Sequence, residues 1–377
     1  MKPTKICCFC ERWESGGIES FLYNVLLYVS NQSHQVDIVA AELTDSIFTE
    51  SLRQHGIRFI KLSGKQQNLW ANHSAFRQLL RVEQYDVVHL NIFHGLSLYY
   101  AYLARQAGVP VRIAHSHNTM LRQSRTRPLK QLLHQMARSL FTNSATDLWA
   151  CSAQAAGFLF SRKTIEKKGF QFIPNGIHVE RFQFHPAIRN RVREELGIQK
   201  KFVIGNVGRL CYQKNQDFLL DVLAEVICRE PQACLLLVGE GEEETKLRKK
   251  AALLGISDAV IFYGISPCVE QLLWAMDVFA FPSRFEGLGI AVVEAQAAGL
   301  PVLCSEQIPC EAHVTQILQA LPLETGAKAW AESLLALEVP MDRENRAVEV
   351  KNAGFDIADT AERVEAYYMR KQPNGQA

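Results

Sequence analysis

Two glutamates, Glu286 and Glu294, are separated by seven residues in the stretch DVFAFPSRFEGLGIAVVEAQAAGLPVLCS, Asp277 to Ser305. The apolar run Val278 to Phe281 is short enough for a buried parallel strand, and Pro282-Ser283 stop it. Glu286-Gly287-Leu288-Gly289 then makes a glycine-flanked turn, and the small-residue-rich segment Ile290 to Ala298 predicts a helix. Gly299 and Pro301 end that helix, and Val302-Leu303 begins another strand. A helix start after a glycine turn offers unpaired N–H groups and partial positive charge, which suits a diphosphate. Carboxylates beside it are poor phosphate ligands but good acceptors for sugar hydroxyls. Together they point to a nucleotide sugar. The plain alternative is an ordinary strand–helix turn with two incidental glutamates.

Set as PSRFEGLGIAVVEAQAAGLPV, the E-x7-E spacing resembles the signature of the retaining GT-B glycosyltransferases of family GT4. The resemblance is to the branch that builds bacterial capsular and exopolysaccharides. It implies that Glu286 faces the donor sugar, that Glu294 binds the nucleotide ribose, and that the backbone of Gly287, Leu288 and Gly289 contacts the donor. Here Leu288-Gly289-Ile290 replaces the family's commoner Phe-Gly-Leu or Leu-Pro-Val, which should affect sugar choice only modestly.

Three other motifs follow the same pattern over about residues 5 to 370. Gly16-Gly17 resembles the family's GGxE loop, which touches the donor phosphate and the acceptor; a glycine pair lets a backbone approach a ligand closely. In His115-Ser116-His117-Asn118, His117 matches the histidine that the family places against the donor sugar. A neutral imidazole can donate to a sugar hydroxyl there, and His115 would point the same way if the strand continued. A pair of histidines capping a strand end is the simpler alternative, and a zinc site would need a third ligand that is not evident. Gly208-Arg209-Leu210 with Gln213-Lys214-Asn215 resembles the GRL…QKN element, in which Arg209 and Lys214 bind the donor diphosphate. Departing UDP develops negative charge, and GT-B enzymes use cations and a helix start where others use a metal. Consistent with that, the chain has no Asp-x-Asp. The resemblance also makes Gly264 and Ile265 readers of the nucleotide base through their backbone groups.

These motifs need rigid strand ends to hold them. At 377 residues, 48% apolar and 21% charged, the chain is globular and long enough for two domains. Strand-like runs at Ile6 to Cys10, Val36 to Ala40, Ile57 to Lys61, Val87 to Leu90, Val111 to Ala114 and Trp149 to Ser152 alternate with helical periodicity. Further strands are expected from Phe202 to a Gly208-Arg209 end, at Leu235 to Val238 and at Val260 to Ile265, with helix over residues 326–370. The expected architecture is α/β, GT-B: two Rossmann-like doubly wound domains facing a cleft. Residues 1–178 would form the acceptor-binding domain, rejoined by a C-terminal helix over 356–371, and residues 179–355 the nucleotide-sugar-binding domain. Gly239-Glu240-Gly241 lacks the third glycine of a dinucleotide fingerprint, which argues against an NAD-dependent oxidoreductase.

Charge is unevenly divided. Residues through His178 carry +9 and the remainder −7, with Arg122, Arg125, Arg127, Lys130 and Arg138 clustered in one segment. Leu129, Leu132, Leu133, Met136, Leu140 and Phe141 recur there at helical spacing. Such a helix could lie on an anionic membrane surface or pack its apolar stripe on the domain. The segment lacks the interleaved aromatics of a nucleic-acid binder. Ten cysteines, many in apolar strand-like runs (Cys151, Cys228, Cys234, Cys304), suggest reduced core thiols in a cytoplasmic protein. Cys7, Cys8 and Cys10 cluster in the first strand, where a metal is the alternative to core, but no second CxxC or Cys/His pair has ligand spacing. No run is long enough to cross a membrane, so localisation is expected to be cytoplasmic, at most peripheral on the inner face. The expected function is retaining, metal-independent transfer from a nucleotide sugar, a UDP-sugar by preference, to a saccharide or lipid-linked acceptor, with no bound cofactor. A nucleotide-sugar-binding protein or an epimerase on the same fold is the alternative.

Overall fold

A computed structural model describes residues 3–14, 16–29, 33–62, 68–121, 127–340 and 342–370. The chain divides into two compact units, Met1–Gly176 with Ile357–Ala377, and Ile177–Asp356.

The first unit is built on a seven-stranded parallel sheet: β1 (Thr4–Trp13), β2 (His34–Leu43), β3 (Arg58–Lys61), β4 (Val87–Ile92), β5 (Val111–Ser116), β6 (Asp147–Ala150) and β7 (Gln171–Phe172). Their order is β3-β2-β1-β4-β5-β6-β7. The second unit has six: β8 (Phe202–Val207), β9 (Ala233–Val238), β10 (Val260–Gly264), β11 (Val278–Phe281), β12 (Val302–Ser305) and β13 (Leu318–Leu321), ordered β10-β9-β8-β11-β12-β13. In both, the winding reverses beside the first strand, between β1 and β4 and between β8 and β11. Ligands of doubly wound sheets bind outside the carboxyl ends of the strands at that reversal.

The central strands read as unbroken apolar runs because helices cover both faces. Ile6, Cys7, Cys8, Phe9 and Cys10 of β1 are all fully buried, and burial pushes the Cys8 thiol up to about 12. These cysteines are core residues, as are Cys151, Cys234 and Cys304. Cys228 departs from the expectation: it is exposed, following the helix Gln216–Ile227. The helix Ile357–Arg370 places Val364 and Tyr368 in the first core beside Phe21, Leu22 and Val25 of the helix Gly17–Leu26.

Local details differ from the sequence expectations for identifiable reasons. β6 starts and ends two residues early, because Ser152 leaves the strand to cap the next helix, its Oγ accepting the Ala155 N–H at 3.1 Å. The C-terminal region is not one helix. Segments Gly326–Ala336, Arg346–Val350 and Ile357–Arg370 are separated by irregular chain and by Gly354 at φ +84°. Two edge strands fall outside the sequence expectations: β7 is only two residues long, and Leu318–Leu321 of β13 is half-exposed and shows no clean alternation.

The helix Arg127–Phe141 settles which way its stripe faces. Only His134 and Ala137 are buried, while Leu129, Leu132 and Leu140 are 58%, 58% and 65% exposed. Packing is therefore carried by the polar His134 side, and the apolar stripe faces outward. Arg122 and Arg125 lie outside the described residues.

Candidate active site

At the reversal point of the second sheet, two loops leave adjacent strand ends and are stitched together. Gly208, just past β8, has φ +150°, and a Cβ there would lie 3.2 Å from Lys214 Cε. Glycine thus lets the lysine stem lie along the strand end. Lys214 Nζ sits 2.7 Å from Glu286 Oε1 and 4.7 Å above the Phe281 ring. The other Glu286 oxygen accepts from Gln213 Nε2 at 3.2 Å, and the same amide reaches the Phe285 carbonyl at 3.0 Å. Asn215 donates to the Pro282 carbonyl at 3.1 Å and accepts from Arg284, whose guanidinium stacks on Tyr212. Glu286 is buried and Lys214 nearly so, making this ion pair a preformed feature of the site.

Beyond Glu286 the turn ends at Gly289, whose φ of +87° excludes most side chains and which caps the helix Ile290–Ala297. Leu288 is buried beneath the turn and Gly287 with it. Glu294 lies inside that helix. Burial, aided by repulsion from Glu270, raises its carboxyl to about 7, against the opposing pull of Lys214 and Arg181. Arg181 in turn holds Glu270 at 3.1 Å.

Arg209 differs from Lys214. Its side chain is 61% exposed, and its Nε lies 3.1 Å from Glu242. Gly264 has φ +83° and its carbonyl accepts the Gly239 N–H at 2.8 Å, while Ile265 is exposed. Gly239 and Gly241 have a packing role. A Cβ at either would come within 2.3 Å of the Gly208 or Leu210 carbonyl oxygen.

In the first unit, His117 stands just past β5, its Nε2 3.0 Å from Asn91 Oδ1 and its ring tilted over His115 at 3.9 Å between centroids. Burial lowers its pKa to about 3, tempered by the Asn175 amide, so the imidazole is neutral at physiological pH. His115 does not share that position. It is fully buried, with Nδ1 3.1 Å from His89 Nε2, and His89 Nδ1 is 2.7 Å from the Tyr368 hydroxyl. Strand alternation turned both histidines to one side, but only His117 keeps an exposed part.

Gly16 and Gly17 open the helix Gly17–Leu26, and Glu19 folds back over its start. Its carboxyl, raised by burial, is partly offset by backbone N–H groups, including those of Glu14 and Gly16. A Cβ at Gly16 would lie 2.7 Å from Glu19 Oε2. The motif's own acid therefore occupies N–H groups at this helix start. Among the described residues no cluster of His, Cys, Asp or Glu is arranged to hold a metal.

The motifs point to Lys214, Glu286 and Glu294; the structure adds Gln213 beside Glu286, and the Arg181–Glu270 pair. Gln213 was visible only as the first letter of QKN. Arg181 and Glu270 are 89 residues apart and meet only in the fold.

The Glu294 shift yields an expected pH dependence. If ribose hydroxyls donate to this carboxylate, the ionised form binds the donor. Ionisation falls about tenfold per pH unit below 7, so donor KM should rise as pH drops from 8 to 6. Glu294→Gln should raise KM at pH 8 and flatten the profile. An unchanged slope in the variant would show that another group titrates.

Two doubly wound units of this kind make up the GT-B architecture, and solved glycosyltransferase structures share it. HepE of Anabaena, in complex with UDP-glucose, superposes with a TM-score of 0.76 at 22% identity, covering 98% of this chain and 100% of that one. The chain belongs to the group 1 glycosyltransferases: residues 15–181 match the family described as Glycosyltransferase Family 4 and residues 188–338 match Glycosyl transferases group 1. Among relatives, EpsF of Bacillus subtilis (strain 168) is 29% identical over 324 residues, 85% of this chain and 84% of EpsF. The GDP-mannose:cellobiosyl-diphosphopolyprenol alpha-mannosyltransferase of Xanthomonas campestris is 28% identical over 362 residues, 92% of this chain and 87% of that protein.

Proposed function

We propose that this glycosyltransferase moves a sugar, with retention of anomeric configuration, from a nucleotide sugar to a saccharide or lipid-linked saccharide acceptor in bacterial polysaccharide assembly. The observation that carries the reading is the Lys214–Glu286–Gln213 cluster beside the Gly289-capped helix start, at the sheet reversal where doubly wound folds bind nucleotides. In this reading the diphosphate sits over the helix start with Lys214 against it, and the exposed Arg209 adds a second cation. Those charges neutralise the departing nucleotide and supply the role a metal plays elsewhere. Glu286 holds the donor sugar and Glu294 the ribose. This reading assigns no covalent nucleophile. We favour front-side attack, in which the leaving phosphate takes the acceptor proton. His117, neutral and anchored by Asn91, offers a hydrogen bond to a sugar hydroxyl. A UDP-sugar is the favoured donor because HepE, of the same fold, was solved with UDP-glucose; the Xanthomonas relative is named for GDP-mannose, so both bases belong in the test.

Incubation with a panel of UDP- and GDP-sugars, with and without EDTA, tests the reading by released nucleotide. Release from one donor that survives the chelator is expected. Strict dependence on Mg²⁺ or Mn²⁺ would overturn the metal-free mechanism, and donor binding without any release would favour a binding protein.

The outward stripe of Arg127–Phe141 supports a membrane-facing role for the first unit. Leu129, Leu132, Met136 and Leu140 are exposed on a helix that also carries Arg127 and Lys130. An acceptor on a lipid carrier would be presented at such a surface, and among the described residues no helix is long and apolar enough to cross a membrane. Each basic residue near anionic lipid contributes about 1 kcal/mol. Purified protein should therefore float with anionic vesicles and release as salt is raised. Replacing Arg122, Arg125, Arg127 and Lys130 by Gln should release it at low salt. Equal flotation of the variant would mean that these cations are only a solvated face.

A further inference from the structure

We propose that Glu11, His94 and Ser97 form the subsite that grips the acceptor, binding adjacent hydroxyls of an uncharged pyranose ring. The proposal rests on the transferase reading above and concerns side chains of the first unit that carry no role in it.

Glu11 lies near the end of β1, one residue beyond its last pairing with β4 at Cys10 and Asn91. His94 and Ser97 come from the segment that follows β4. The three thus descend from the two strands that flank the reversal of the first sheet, where a ligand of a doubly wound fold is expected. Ser97 Oγ donates to Glu11 Oε1 at 2.5 Å, and His94 Nε2 is 3.4 Å from Glu11 Oε2. Glu11 keeps 12% of its side chain exposed and His94 34%, so both are reachable. The Nδ1 atom of His94 is buried without a partner.

The segment is held rigid from behind. Gly95 N–H donates to His134 Nδ1 at 2.8 Å, and His134 Nε2 sits 3.0 Å from the Phe158 carbonyl. A Cβ at Gly95 would lie 2.6 Å from the His134 carbonyl oxygen, so only glycine allows the approach. Asn118, beside His117, reaches the Phe93 carbonyl at 3.5 Å. The cluster is therefore continuous with the end of β5 that carries His117, and it is positioned before any ligand arrives.

Its chemistry selects the ligand class. Among the described residues no lysine or arginine touches Glu11, leaving a mostly buried carboxylate with a hydroxyl and an imidazole for company. Such a group gains from further O–H donors. Phosphate would be repelled by the carboxylate. A divalent cation would need several oxygen ligands, and a single carboxylate is offered. Adjacent sugar hydroxyls fit both needs: one donates to Glu11 while its neighbour exchanges a hydrogen bond with His94.

Saturation-transfer NMR on the full chain tests this with the methyl glycosides of glucose, galactose, mannose and N-acetylglucosamine as probes. At least one should receive saturation, and Glu11→Gln and His94→Ala should each weaken it by about tenfold or more. Ser97→Ala gives a second, milder variant should Glu11→Gln melt early. Glycoside binding that survives all three substitutions, or no glycoside response from the wild type, overturns the subsite. UDP titrated into the same wild-type sample reports on the donor reading separately. UDP binding without a glycoside response removes this subsite alone; absence of UDP binding removes the reading on which it rests.

Discussion

Lys214→Ala is expected to lower turnover by about 10²–10⁴-fold, several kcal/mol of barrier, the largest loss of any single substitution in the second unit. The lysine is nearly buried, lies on the Phe281 ring and is fixed by Glu286, so its charge is held in place. Diphosphate departure then proceeds with one fewer charge in a low-dielectric site. The substitution also leaves Glu286 buried without its cation, which should cost stability. Thermal unfolding must therefore accompany the kinetics. Lys214→Arg separates the two effects, since it restores charge with altered geometry. Arg209→Ala should cost less, because that guanidinium is exposed and spends part of its interaction on Glu242. Near-normal rates for folded Lys214→Ala would show that the diphosphate is held elsewhere.

The second large effect is expected at Glu286. Glu286→Ala should lower kcat by about 10²–10³-fold while leaving donor KM little changed. Two consequences oppose each other in binding: the donor sugar loses its acceptor group, but Lys214 loses its competitor and can turn fully to the diphosphate. Ground-state affinity is thereby buffered, and the reacting sugar is misplaced. Glu294→Ala should fail differently, with a raised donor KM and a smaller drop in kcat, because ribose contacts exist in ground and transition states alike. Initial-rate kinetics at pH 8 distinguish them. Matching signatures for the two variants would count against separate roles.

Much of this site was legible in the sequence because it is local. The strand, glycine turn and helix around Glu286 follow from composition and stop signals, and Lys214 lies in a motif that resembles its family's. What the sequence could not show were relations set by packing. Helical periodicity identified the Arg127–Phe141 stripe, but which side packs depends on His134 meeting Gly95, and that left the leucines outside. Two histidines two residues apart looked equivalent until Tyr368, 279 residues from His89, drew the His89–His115 pair into the core. Glu19 reads as the last letter of a glycine motif; only its folded position shows that it covers the helix start. The strands of both sheets were anticipated except at two weak edges, the two-residue β7 and the half-exposed β13, which carry too little pattern.

Titration calorimetry of UDP and GDP against wild type and Lys214→Ala, in metal-free buffer, puts the donor site to the most direct test. Wild type should bind one of the two without added metal, and the Lys214→Ala variant, shown to be folded, should bind that nucleotide at least about tenfold more weakly. Metal-free binding of neither nucleotide, or equal binding by wild type and variant, would contradict the assignment of Lys214 and the helix start at Gly289 to the donor diphosphate.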